Sequence, residues 1–260
     1  MNLQLVKSFL KHRLKAKSRH GVHSPFVYNL IDKVIYDFEP KKIYEPIEAL
    51  RKELLNDNRE ISITDLGAGS LVNNNQKKRL SLLAKHALKP ARLAQLIYRI
   101  TNVLQPLSSI ELGTCLGITT AYIAKANSAN KLITVEGCPE TAAVALENLN
   151  KLSIENVELK VGNFDVILPE ILNELDRIDF AFIDGNHRKE ATLNYFNLIL
   201  PKVTENSVII FDDIYWSEGM EDAWEQIKQH PHVTVSVDLF WIGLVFFKKN
   251  RAKENFKVKF

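Results

Sequence analysis

The chain has 260 residues, 46% of them hydrophobic and 25% charged, with a formal net charge of +3. That balance is ordinary for a globular protein. The longest strongly apolar run near the end, residues 240–247, is far shorter than the roughly 20 residues a membrane-spanning helix needs. The stretch from Leu3 to Leu10 is interrupted by Gln4, Lys7 and Ser8 and lacks a cleavage site for a secretion signal. A cytoplasmic protein without membrane contact is therefore expected. Its two cysteines, Cys115 and Cys138, make neither a disulfide framework nor a zinc spacing.

Residues 3–14 carry apolar side chains at helical spacing (Leu3, Val6, Phe9, Leu10, Leu14). Lys7, Lys11, Arg13, Lys15, Lys17 and Arg19 crowd the same region without an acid among them. Such an arm is either a solvated helix face or a contact for nucleic acid or another anionic surface. Residues 21–25 break the pattern, and residues 27–35 and 47–55 again read as helices. Residues 61–66 alternate like a short strand, and Asn73, Asn74 and Asn75 mark a polar loop. Residues 79–87 and 91–104 complete a mainly helical extension, expected over 1–105.

After Pro106 the rhythm changes. Strand-like runs at 109–112, 132–135, 157–161, 178–183 and 207–211 alternate with helical runs at 118–126, 141–152, 166–175, 190–200 and 220–230. Five βα units in series imply a parallel sheet with helices on both faces. Two final strands, 233–239 and 242–248, flank a tight break at Trp241, so the last one must run antiparallel to its partner. The expectation is an α/β domain over 106–260, a doubly wound, mostly parallel seven-stranded sheet with an antiparallel last strand.

Chemistry gathers where those strands end. In the run 111–120, ELGTCLGITT, a strand closes at Glu111 and Leu112 and a helix opens after Gly117. Gly113 permits a sharp turn and a close approach of backbone to ligand. Free N–H groups at the helix start, with Thr114 and Thr119 beside them, favour an anionic group there. Glu136 ends the next strand about twenty residues after Gly117, where an acid accepts hydrogen bonds from ribose hydroxyls. Gly137 follows it. The third strand ends in Gly162, Asn163 and Phe164, placed to meet an adenine edge and face, with Asp165 as the expected helix N-cap. A second glycine loop, Asp65 to Ser70, is followed by polar residues and not by a helix, and reads as a turn in the extension.

Asp184 closes the fourth strand, and Asp212 and Asp213 close the fifth. Carboxylates converging on one sheet edge repel unless something positive sits between them. A hard divalent cation such as Mg2+ takes oxygen ligands and suits an acceptor with adjacent oxygens. Beyond Asp213, Tyr215 and Trp216 are placed to line an acceptor pocket, while Met220 and Trp224 at helical spacing read as core.

ELGTCLGITT, TVEG, VGNFDVILPE, FIDGNH and VIIFDD, in this order and spacing, resemble the class I S-adenosylmethionine-dependent methyltransferases over about residues 90–248. Within them the chain is most similar to the metal-dependent O-methyltransferase branch. The resemblance implies S-adenosylmethionine as cofactor, held by Glu111, Gly113, Thr114, Gly117, Thr119, Glu136, Gly137, Gly162, Asn163, Phe164 and Asp184. It implies Asp184, Asp212 and Asp213 as ligands of Mg2+ or another divalent cation. His187 is the implied general base, beside Asp184 as the other catalytic residue. Catechol O-methyltransferases have Asp followed by Asn where this chain has Asp212-Asp213, closer to the pair in macrolide-sugar and cephalosporin-tailoring relatives. The segment RHGVHSPF, residues 19–26, resembles the N-terminal stretch of a group of bacterial proteins of similar length.

The expected reaction is O-methylation of a small molecule. The alternative is an RNA or protein methyltransferase using the basic arm. Asp184-Gly185-Asn186-His187 stands where amino-methylating nucleic-acid enzymes often carry an Asn/Asp-Pro-Pro-aromatic motif, which counts against it. A nicotinamide-dependent oxidoreductase predicts G-x-G-x-x-G, which the run 113–117 does not fit. A binding domain without catalysis would not need acids at successive strand ends. Expected partners are a small-molecule acceptor and, secondarily, nucleic acid; a homodimer is compatible with the sequence.

Overall fold

A computed structural model describes residues 3–64 and 76–260. The loop Asp65 to Ser70 and Asn73 to Asn75 lie outside the described residues. The chain divides into two compact units, residues 38–171 on the one hand and 1–37 with 172–260 on the other. The architecture is α/β, with mostly parallel strands connected through helices.

The second unit opens with helices α1 (Leu3–Lys15) and α2 (Pro25–Leu30), the latter continued by a wider turn over Ile31–Ile35. Pro25 at the first helical turn costs no hydrogen bond there. Helix α1 turns Phe9 and His12 inward; His12 is buried, as is Ala16 just past the helix, and Phe9 packs its ring on Phe240 at 5.0 Å.

The unit spanning 38–171 contains helix α3 (Tyr44–Leu55), the antiparallel pair β1 (Glu60–Ile63) and β2 (Gln76–Arg79), and helices α4 (Leu80–Ala87) and α5 (Ala91–Leu104). Three parallel strands follow, β3 (Ser108–Leu112), β4 (Lys131–Glu136) and β5 (Val157–Val161), with β4 in the middle. Helices α6 (Ile118–Ala126) and α7 (Pro139–Lys151) connect them, and α8 (Phe164–Glu174) leaves β5. Helix α6 is buried along nearly its whole length, which is why its sequence shows no polar stripe.

Back in the terminal unit, β6 (Ile178–Ile183) pairs in parallel with β7 (Val203–Asp212) across helix α9 (Lys189–Ile199). After helix α10 (Glu218–Gln229) come β8 (Val235–Asp238) and β9 (Ile242–Phe246). Strand β9 lies between β7 and β8, antiparallel to both, as the tight break at Trp241 requires. Ser217 caps α10 by accepting from the Met220 amide at 3.2 Å. Met220, Ala223, Trp224 and Ile227 form its buried stripe.

Two strands were not visible in the sequence. Strand β2 reads QKKR, without an apolar residue, and is held by its pairing with β1. Strand β10 (Glu254–Lys257) pairs in parallel with β8 and is an eighth member of the mostly parallel set, where seven were expected. The antiparallel strand is thus β9 and not the last strand of the chain. Among the described residues no helix is long and apolar enough to cross a membrane.

Candidate active site

In the unit 38–171, the glycine loop is built by backbone geometry. Gly113 and Gly117 have φ of 107° and 80°, and Cys115 between them has φ of 50°. Glycine carries the left-handed conformation at little cost, so the loop can fold tightly. The amides of Gly113 and Thr114 donate to the Val135 carbonyl at 2.9 and 3.2 Å, tying the loop to the end of β4. A Cβ at Gly117 would stand 3.4 Å from the Ala145 carbonyl of α7, so the loop and α7 are in close contact there.

Glu136, at the end of β4, is gripped from two sides. The Cys115 amide donates to Oε2 at 2.8 Å and the Cys138 amide to Oε1 at 2.9 Å. Burial pushes this carboxyl above its ordinary range; the amides of Cys138, Cys115 and Gly137 pull it back without cancelling that rise. A carboxylate has about four acceptor sites, so capacity remains for a further donor such as a ribose hydroxyl. The amide of Gly162 donates to the Glu136 carbonyl at 2.9 Å, placing the end of β5 beside this clamp.

Glu111 is fully buried. Its Oε2 accepts from Thr120 at 2.5 Å and from Thr134 at 2.7 Å, and Thr134 meets Thr114 at 2.6 Å. It supports the loop from behind, as does the buried Thr114. Thr119 lies in the first turn of α6 and is nearly buried. Asn163 and not Asp165 caps α8: its Oδ1 accepts the Asp165 amide at 2.9 Å. Asn163 is exposed and Phe164 half-buried.

In the terminal unit, ligand atoms of Asp184, His187 and Asp212 lie within 4.8 Å of one another. His187 Nε2 is 3.9 Å from Asp184 Oδ1 and 4.0 Å from Asp213 Oδ2. Asp213 therefore stands outside the closest trio, next to its histidine. Three turns create this cluster. Strand β6 ends just before Asp184. Asn186, at φ 50°, folds the 184–187 loop back and donates to the Tyr195 hydroxyl at 2.9 Å. Asp213, at φ 51°, ends β7 with its amide on the Trp241 carbonyl at 2.8 Å and its carbonyl accepting the Trp216 amide at 2.9 Å. Aspartate and asparagine tolerate this conformation better than most residues with a Cβ. Trp216 is 57% exposed, but Tyr215 is buried, stacked on Phe240 at 4.9 Å, and does not line an open pocket. Met220 and Trp224 are core.

Sequence reading passed over the two cysteine amides, because a backbone donor leaves no mark in residue type. It also passed over Asp238, which is buried and surrounded by donors. His12 Nε2 is 3.0 Å from its Oδ1, and Tyr215 donates to Oδ2 at 2.7 Å. Lys257 donates to the Tyr215 hydroxyl at 2.7 Å, and the Phe240 amide to Asp238 Oδ1 at 3.0 Å. A lone histidine three residues after Phe9, on the apolar face of α1, was the available signal.

This fold is that of the class I methyltransferases. Residues 110–214 match a family described as a methyltransferase domain. The O-methyltransferase imqG of Aspergillus flavus is 30% identical over 112 residues, 41% of this chain and 44% of that protein. The chain thus spans less than half the length of that curated relative. A Bacillus cereus O-methyltransferase in complex with SAH superposes with a TM-score of 0.57 at 19% identity, covering 81% of this chain and 93% of the other. SAH-bound methyltransferase PaMTH1 of Podospora anserina gives 0.60 at 12% identity, covering 88% and 98%. These two structural likenesses speak to the fold.

Proposed function

We propose that the protein transfers a methyl group from S-adenosylmethionine to an oxygen of a small-molecule acceptor, with assistance from a divalent cation. The observation that carries the acceptor chemistry is the convergence of Asp184, His187 and Asp212 within 4.8 Å. Its two carboxylates fit a hard divalent cation that keeps part of its water shell, with the imidazole of His187 beside them. The match of residues 110–214 to a methyltransferase domain supports the cofactor.

When bound, the cofactor supplies an electrophilic sulfonium methyl and the cation lowers the pKa of an acceptor hydroxyl. The chain's residues then have distinct tasks. Glu136 holds a ribose hydroxyl with the acceptor capacity its amides leave open. Amides at the start of α6 face the methionine carboxylate. Gly162, Asn163 and Phe164 border the base. Asp212 and Asp184 hold the cation, with Asp213 as an outer acid. His187 takes the acceptor proton on Nε2, and the acids 3.9 and 4.0 Å away stabilise the imidazolium that results. The methyl acceptor gains a C–O bond as the C–S bond breaks, and alignment with exclusion of water is the protein's main contribution.

The test is transfer of labelled methyl from S-adenosylmethionine to a panel of vicinal diols and phenols, with and without EDTA. Activity is expected on some member of the panel, lost with EDTA and restored by Mg2+. Asp184→Asn and Asp212→Asn each lower it by a factor of about 100 or more, as removal of a ligand from a small donor set does. Undiminished transfer in EDTA would remove the cation from this reading, and transfer only to RNA would replace it.

A further inference from the structure

The two ends of the chain, far apart in sequence, are joined in the terminal unit. The Lys17 amide donates to the Lys257 carbonyl at 2.8 Å and the Lys259 amide to the Lys17 carbonyl at 3.1 Å. Ser24 donates to Glu254 at 3.0 Å, and Tyr36 to the Lys259 carbonyl at 2.9 Å. This seam brings the basic residues of 7–19 beside Lys248, Lys249, Arg251, Lys253, Lys257 and Lys259, with Glu254 as the one acid in either stretch. The chain as a whole carries only +3, so positive charge is concentrated at this seam and the remainder is net acidic.

The orientation of α1 is settled by its inward side. Phe9 packs on Phe240 and Trp241, and His12 meets Asp238. The opposite side presents Lys7, Leu10, Lys11 and Leu14, neighbours at i, i+3, i+4 and i+7. Leu10 is 57% and Leu14 88% exposed. Two leucines one turn apart, bare to solvent in the middle of a cationic helix face, have no folding role.

We propose that this face of α1, together with the basic segment 248–259, docks on an anionic lipid surface. The lysines and arginines meet headgroup phosphates, while Leu10 and Leu14 enter the boundary between headgroups and acyl chains. A nucleic-acid backbone would satisfy the cations equally well but offers nothing to a pair of aliphatic side chains. The leucines therefore decide for lipid. This inference is independent of the methyl-transfer reading.

The test is co-sedimentation of the full chain with phosphatidylcholine vesicles and with mixed phosphatidylcholine–phosphatidylglycerol vesicles. Binding is expected only to the mixed vesicles, with release when salt rises from ~0.05 to ~0.5 M. Leu10→Ser with Leu14→Ser keeps every charge and touches no core contact; it lowers the vesicle partition coefficient about tenfold. Lys7→Glu with Lys11→Glu lowers it by more than about tenfold. A thermal melt of each variant matching the parent confirms that the fold is retained. Absence of binding to mixed vesicles overturns the proposal, as does a leucine variant that binds like the parent. Single-stranded RNA binding tighter than the vesicles also overturns it, and reassigns the face to nucleic acid.

Discussion

Glu136 is held by opposing forces. Burial raises its pKa, and amides on both oxygens lower it by less. A carboxyl whose folded pKa exceeds its unfolded value costs stability at neutral pH, and that cost disappears as pH falls through the folded pKa. Glu136→Gln removes the buried charge but turns an NH2 toward one of the two amides. We therefore expect the ligand-free melting free energy to change by less than about 1 kcal/mol, while affinity for S-adenosylmethionine drops at least about tenfold. Paired thermal melts and binding titrations check this. The parent should also lose affinity on acidification at a pH above the ordinary carboxylate range, as Glu136 protonates. Its position at the end of β4 was legible because an acid at a fixed offset from a glycine loop is a pattern of residue types. The resemblance offered Glu111 as a cofactor residue; its partners Thr120 and Thr134 become visible only when β3, β4 and α6 are assembled. Likewise Asn163 precedes Asp165 by two positions, and only the geometry shows which one caps α8.

At the scale of elements, the pairing of β7, β8 and β9 fixes the strand end that carries Asp212 and Asp213. Gly243 in β9 lies under the Trp224 ring, and a Cβ there would come within 2.7 to 2.8 Å of it. Gly243→Ala should destabilise the fold by about 1–3 kcal/mol through overpacking, measured by urea denaturation. Asp238, at the end of β8, ties that strand to α1 through His12, to the 213–217 loop through Tyr215 and to β10 through Lys257. Burial alone would raise its pKa, but the His12 hydrogen bond and charge, the Tyr215 hydroxyl and the Lys257 charge hold it below the usual range. A depressed carboxyl stabilises above its unfolded pKa, and that stability is lost as pH falls below about 4. Removing the carboxylate leaves buried donors unpaired, so Asp238→Ala should cost about 3–5 kcal/mol at neutral pH. The variant's stability should also decline less with acidification than the parent's, by urea titrations across pH. The strands of this region were legible because each is an apolar run bounded by turn residues. Strands β2 and β10 were not, since QKKR and ENFK owe their extension to a partner strand and not to their own side chains.

For the whole molecule, the alternation of strand and helix after Pro106 was readable because β4, β6 and β7 are apolar on both faces and helices such as α10 keep an amphipathic period. What sequence could not supply was association between distant segments: the seam of Lys17 with β10, and the docking of β1 on α7 through Ser62 and Glu140 at 2.6 Å. Such contacts are set by tertiary closure and leave no local periodicity. We infer that the loop 113–117 and Glu136 form an adenosyl-cofactor site. Calorimetric titration of the full chain with S-adenosylhomocysteine, run beside NAD, tests it most directly. The account predicts saturable binding to the parent, weakened at least about tenfold in Glu136→Ala by loss of charge-assisted hydrogen bonds, and no heat with NAD. Equal affinity in parent and variant, or binding of NAD in place of S-adenosylhomocysteine, would contradict it.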